Sequence, residues 1–421
     1  MSVSTSSVRG SRFRSNIVRI ATGTMASQVV VIGSTPLLTR LFGPEAFGVL
    51  AVFTALNTVL AGLFTLKYDL SIILPADHEE AVRLTGLTMS ASTLFAALLL
   101  IGLGFGRWVL GPDVQPYYFL LPLSLMLTAA YTCVQQWAAR ANDYRRFSRS
   151  QIVGAVTNVS VSFAIGWAMQ APVYGLAVGW VAGLIASFVY AQAGQWDGSA
   201  AARLDARQLW IVAREHRRFP YFVLPSTLVQ TLGSSAQPFI LQALFSLRDV
   251  GHYAIANRFM LVPSTLIGSA IAEAFRAEFV DRTKRGEDVS RFFRATLSRM
   301  ALMGLPVFVL LLITAPVLFE LAFGPDYREA GTLARYLCAG VFAQFVAQPF
   351  AYIFVATGQV RRGLAIQIAT TALPLLGIVW GGLQQDVVLA FGLASGASFI
   401  LSGVLVAMAY RACRSWEARR V

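Results

Sequence analysis

Polar and apolar positions in this chain alternate on the scale of whole helices. Apolar runs of about 18–24 residues follow one another from end to end, separated by short polar stretches. At about 1.5 Å of rise per residue, each is long enough to cross a hydrocarbon layer of about 30 Å. The runs fall at residues 17–38, 47–66, 84–103, 118–138, 152–169 and 173–191. After a longer polar stretch they resume at 222–244, 252–275, 297–319, 333–356, 364–383 and 387–410. The pattern predicts an all-α integral membrane protein of about twelve transmembrane helices. Arg9, Arg12 and Arg14 precede the first run, which exceeds the roughly 7–15 apolar residues of a cleaved signal and is read as a retained helix.

Composition agrees with that reading. Of 421 residues 56% are hydrophobic and 13% charged, where a soluble domain has about 25% charged. The net charge of +13 would suit a nucleic-acid binder, but its placement excludes one. Lys67, Arg83, Arg140, Arg145, Arg146, Arg149, Arg203, Arg207, Arg214, Arg217, Arg218, Arg361 and Arg362 all fall on one side of the alternating topology, with both termini. Arg40, Arg107, Arg248, Arg328 and Arg335 fall on the other. Such a bias places both termini in the cytoplasm.

Catalytic signals are missing. The loops opposite the basic side are too short for the catalytic outer loop of a membrane polymerase or ligase. His78, His216 and His252 have no metal-ligand spacing, and Cys133, Cys338 and Cys413 form no C-x-x-C pair. Neither a G-x-S-x-G nor a P-loop motif is present. No enzymatic activity, metal or cofactor is expected.

The second six runs repeat the first. Gln28 and Pro36 are spaced as Gln230 and Pro238 are, and Leu41-Phe42-Gly43 aligns with Leu244-Phe245-Ser246. Leu110-Gly111-Pro112-Asp113 echoes Phe323-Gly324-Pro325-Asp326; Gln135 then aligns with Gln348, and Arg145-Arg146 with Arg361-Arg362. Six is an even number, so the repeats are parallel, and such halves usually enclose a cavity whose access alternates. Residues 1–198 form an N-terminal lobe, 199–220 a cytoplasmic linker with a short surface helix, and 221–421 a C-terminal lobe.

Some helices carry polar stripes. Thr24, Ser27, Gln28, Ser34 and Thr35 share a face of the first helix, as Ser226, Thr227, Gln230, Ser234 and Gln237 do on the seventh. A stripe of this kind lines a cavity or joins helices; its presence in both halves favours the cavity. Gln135, Gln136 and Gln348 extend the set. Arg258, beside Asn257 in the eighth run, lies roughly 9 Å below the outer end. A mid-membrane arginine costs about 2.5–3.5 kcal/mol on insertion scales, so Arg258 faces a cavity or snorkels to the headgroups.

Several segments together resemble the polysaccharide and O-antigen flippases of the multidrug/oligosaccharidyl-lipid/polysaccharide exporter superfamily. They are residues 38–48 (Leu-Thr-Arg-Leu-Phe-Gly-Pro-Glu-Ala-Phe-Gly), Lys67-Tyr68-Asp69, Arg217-Arg218-Phe219-Pro220 with Pro225-Ser226, and Phe323-Gly324-Pro325-Asp326-Tyr327. The resemblance implies a V-shaped, two-lobed transporter in a bacterial cytoplasmic (inner) membrane. It implies a substrate in which an oligosaccharide is joined through a diphosphate to a polyprenyl lipid. The product serves O-antigen, capsule or exopolysaccharide synthesis, with membrane lipid, a polysaccharide polymerase and chain-length proteins as expected partners. On this view Arg258 holds the diphosphate or acidic sugars. Arg19, near the cytoplasmic start of the first helix, meets the incoming substrate or serves as an ordinary positive-inside anchor. Lys67 and Asp69 gate the inner mouth or merely pair, and Glu273 is a coupling candidate or the helix-face partner of Arg276. The alternative on the same fold is an ion-coupled exporter of small amphipathic drugs.

Overall fold

A computed structural model describes residues 4–111, 115–141, 144–169, 172–192 and 205–418, with side chains of the first helix from Thr22 onward. Among the described residues the structure is helical and contains no strand. The first half comprises α1 (Ser4–Thr39), α2 (Pro44–Thr65), α3 (His78–Leu110), α4 (Leu120–Ala141), α5 (Arg145–Ala168) and α6 (Gly175–Gln192). A short α7 (Ala206–Glu215) follows the part of the linker that lies outside the described residues. The second half comprises α8 (Leu224–Leu244), α9 (Leu247–Pro263), α10 (Ser269–Arg285), α11 (Val289–Phe323), α12 (Arg328–Ala347), α13 (Tyr352–Ala356), α14 (Val360–Leu383) and α15 (Val387–Glu417).

Nine helical stretches among the described residues are long and apolar enough to cross a membrane. The other three predicted runs are helical too. They are α1, α8 and the pair α9–α10, on which the polar stripes and Arg258 lie. Local chemistry sets many of the boundaries. Pro44 opens α2, where its missing N–H is no loss. The Asp77 carboxylate accepts from the Glu79 and Glu80 amides at the start of α3. Ser246 and Asp249 form a reciprocal capping box at the start of α9.

The predicted eighth run, 252–275, is not one helix. A single π-helical turn, Ser264–Gly268, separates α9 from α10. Pro263, with no N–H for the ladder, immediately precedes it, which is a common cause of such a break.

Two compact units divide the chain, Met1–Ser235 and Ala236–Val421, and the division falls inside α8. Each is held by helix pairs of small residues. In the first unit a Cβ on Gly154 of α5 would stand 1.8 Å from the Ser187 hydroxyl of α6, and one on Gly183 would stand 2.7 Å from the Gly154 carbonyl. The backbones can approach this closely because nothing projects between them. In the second unit α14 meets α15 in the same way, a Cβ on Gly381 falling 2.3 Å from Ala390. Each unit also has its own aromatic and aliphatic core. Phe53, Phe64 and Leu125 are buried in the first unit. Phe275, Phe293 and Phe350 are buried in the second, with Phe293 and Phe350 ring centroids 4.2 Å apart. Outward faces remain apolar: Trp167 is 76% exposed and Leu321 75%. In water that surface would drive aggregation; in lipid it is solvated.

Candidate functional site

The π turn between α9 and α10 lies against the end of α12. A Cβ on Gly268 would come within 2.4 Å of the Gln348 side chain, so only glycine fits there without displacing it. Around this point α9, α10, α12, α14 and α15 enclose a cavity of about 610 Å³. Its polar lining includes Ser264, Gln344, Gln348, Gln367, Thr370 and Thr371, while Leu261 and Leu405 supply apolar wall. None of the described lining residues is charged. The Thr370 and Thr371 hydroxyls donate to the Gln367 carbonyl at 2.9 and 3.0 Å, which leaves their oxygens free to accept. The Ser264 hydroxyl is buried without a partner among the described residues. The three glutamine amides likewise have no protein partner there. Each amide offers two donors and one acceptor, so the cavity holds an unspent set of neutral hydrogen-bonding groups.

Arg258 lies on α9 one helical turn before Leu261 of the cavity wall. Its side chain is exposed, and among the described residues no carboxylate pairs with it. Asn257 beside it is half-buried. Glu273 is exposed and its carboxylate is 3.2 Å from Arg276.

The predicted stripes separate into distinct roles. On α1, Gln28 is exposed without a protein partner among the described residues, but Ser34 and Thr35 are buried and donate to the Val31 carbonyl at 3.0 and 2.8 Å. Thr24 donates to Gln151 of α5 at 2.9 Å, which joins two helices. On α8, Gln230 is exposed, Ser234 turns back to the Thr231 carbonyl at 3.0 Å, and Gln237 accepts the Tyr253 hydroxyl. Gln135 is exposed on α4, and Gln136 is half-buried. The Arg19 side chain lies outside the described residues. No ion pair joins Lys67 to Asp69 among the described residues: Asp69 is buried with Oδ1 unpartnered, and Lys67 reaches back over Gly62. The cause is backbone: Leu66 and Lys67 both take positive φ, which turns the basic and acidic side chains apart.

The sequence reading did not single out Gln344, Gln367, Thr370, Thr371 or Ser264. A signal was present. Gln344 and Gln348 are four apart, and Gln367 precedes Thr370 and Thr371 by three and four, the same-face spacing that marked the first and seventh helices.

The profile of a family described as polysaccharide biosynthesis protein matches residues 37–331. The chain belongs to this family. No curated protein sequence matches it. Among solved structures, an inward-facing multidrug resistance MATE family transporter of the MOP superfamily is similar at a TM-score of 0.68 and 14% identity, covering 96% of this chain and 99% of that one. The lipid II flippase MurJ, in an inward closed conformation, gives a TM-score of 0.71 at 10% identity, covering 94% and 87%. A mutant of the Vibrio cholerae MATE transporter VcmN gives 0.52 at 13%, covering 96% and 97%. These identities establish a shared fold: the chain is a member of the polysaccharide biosynthesis protein family with the helical fold of these transporters.

For a polysaccharide biosynthesis protein the motifs that carry the resemblance are mostly structural. Phe42, 1% exposed, sits against Gly166 and Gly175 where α5 turns into α6. The Asp326 carbonyl is 3.0 Å from the His252 ring, and Tyr327 is buried beside it. Tyr68 donates to the Ala213 carbonyl of α7 at 3.2 Å. Arg217 and Arg218 of these motifs lie open instead, in a second cavity beside α7.

Proposed function

We propose that this protein is a flippase. It carries a polyprenyl-diphosphate-linked oligosaccharide from the cytoplasmic to the outer leaflet of a bacterial inner membrane, by alternating access and without covalent chemistry. The observation that carries this reading is the cavity of the second unit. Its volume of about 610 Å³ is that of a small-molecule site, and its described lining residues are rich in amides and hydroxyls and carry no charge. Sugars present many hydroxyls and no cation; a cationic drug would favour a carboxylate in the wall. Arg258, one turn away, suits the diphosphate, because a guanidinium matches phosphate oxygens bidentately. The family supports a place in surface polysaccharide synthesis, with a polymerase and chain-length proteins acting on the product. The excess of arginine on one side supports cytoplasmic termini.

Deleting the gene and analysing extracted lipids by mass spectrometry tests the proposal. Accumulation of a polyprenyl-diphosphate oligosaccharide with loss of surface polysaccharide is expected. Unchanged lipid intermediates with new sensitivity to cationic dyes would overturn it in favour of drug export.

A further inference from the structure

The second cavity, of about 770 Å³, lies in the first unit beside α7. Sequence and packing explain why it stays open. Val212 of α7 is 2% exposed and locks into the cluster formed by Tyr68, Ile72, Ala81, Leu84, Cys133 and Trp137. His216 fixes the end of the helix to Glu80 of α3 at 2.9 Å. Anchored on that face, α7 turns Trp210 (72% exposed) and Ile211 outward, beside the exposed Leu74. Arg214, Arg217 and Arg218 complete the rim; all three are exposed and join no ion pair among the described residues. Glu215 is the one carboxylate among the described residues of the lining. Tyr221 and Phe222, which follow Phe219 in the chain, are exposed as well.

We propose that this cavity binds the head group of an anionic glycerophospholipid. Three guanidinium groups against a single carboxylate, Glu215, and unpaired among the described residues, fit a phosphodiester, and the adjoining Trp210, Ile211 and Leu74 fit the first segments of two acyl chains. A free phosphate would use the arginines and leave the apolar rim bare in water. The lipid is a membrane component distinct from the transported molecule, and it fastens α7, the helix between the two halves, to the bilayer surface.

The full chain tests this. Native mass spectrometry would compare retention of phosphatidylglycerol and phosphatidylcholine, and hydrogen exchange in nanodiscs would follow residues 206–219. Phosphatidylglycerol is expected to be retained about tenfold better than phosphatidylcholine and to protect the segment. The triple variant Arg214→Gln, Arg217→Gln, Arg218→Gln should lose both effects, and Trp210→Ser, with its arginines intact, should weaken both. Equal retention of the two lipids by the unaltered protein overturns the proposal whether or not the variants fold. So does protection by inorganic phosphate or glycerophosphoglycerol as strong as that by the lipid, which would mark a free-anion site.

Discussion

Arg258 joins no ion pair among the described residues. It is exposed on a helix of an apolar bundle, with no carboxylate beside it among the described residues. If it holds a diphosphate, Arg258→Ala removes hydrogen bonds to a charged group worth about 1.5–3 kcal/mol, and transport should fall about tenfold or more. Arg258→Lys keeps the charge and should retain part of it. Surface polysaccharide measured at matched protein levels checks this; full activity in both variants would refute the role. Gln344→Leu and Gln367→Leu each delete a neutral hydrogen-bonding group, worth about 0.5–1.5 kcal/mol. Several-fold losses of transport with unchanged abundance are expected. A different expectation attaches to Cys413, beyond the last apolar run. Its side chain is fully buried in the cluster that holds Phe293 and Ala409, out of reach of reagents. Maleimide applied to native membranes should leave it unlabelled.

At the scale of elements the close helix pairs are the most exacting feature. Gly154→Leu or Gly183→Leu inserts a side chain where a Cβ alone would already fall within 1.8 or 2.7 Å of α6 or α5 atoms. Both should abolish accumulation of folded protein, measured by gel filtration in detergent. Gly392→Ala on α15 meets nothing within 4 Å and should be neutral or stabilising by about 0.5–1 kcal/mol. Helix positions were legible in the sequence because hydrophobic length fixes them. The run 364–383 lies on Val360–Leu383, and 387–410 on Val387–Glu417. The π turn at Ser264–Gly268 was hidden, since hydropathy averages over a five-residue change of winding, and only Pro263 hinted at it. Polar stripes were legible as stripes, but composition does not tell a hydroxyl that bonds its own backbone, as at Thr35, from one that faces a cavity, as at Ser264. The Lys67–Asp69 pairing failed as an ion pair for a related reason: adjacency in sequence says nothing of two successive positive φ angles.

For the whole molecule the internal repeat is the organising fact, and its two copies have diverged in use. Gln151 of α5 and Gln367 of α14 hold the same place in their halves, each following the paired arginines that open its helix. In the first unit α1 lies along α5, Thr24 bonds Gln151, and Gly23 meets Ser148 so closely that a Cβ would stand 2.7 Å away. In the second unit Gln367 faces the open cavity. In the first unit this place is filled by α1, whereas in the second unit the matching glutamine lines a cavity among that unit's own described residues. The first half therefore serves as a template for a blocker of the second. A compact apolar rod that presents one hydroxyl to Gln367, as α1 presents Thr24 to Gln151, would seat itself in this cavity and stay there.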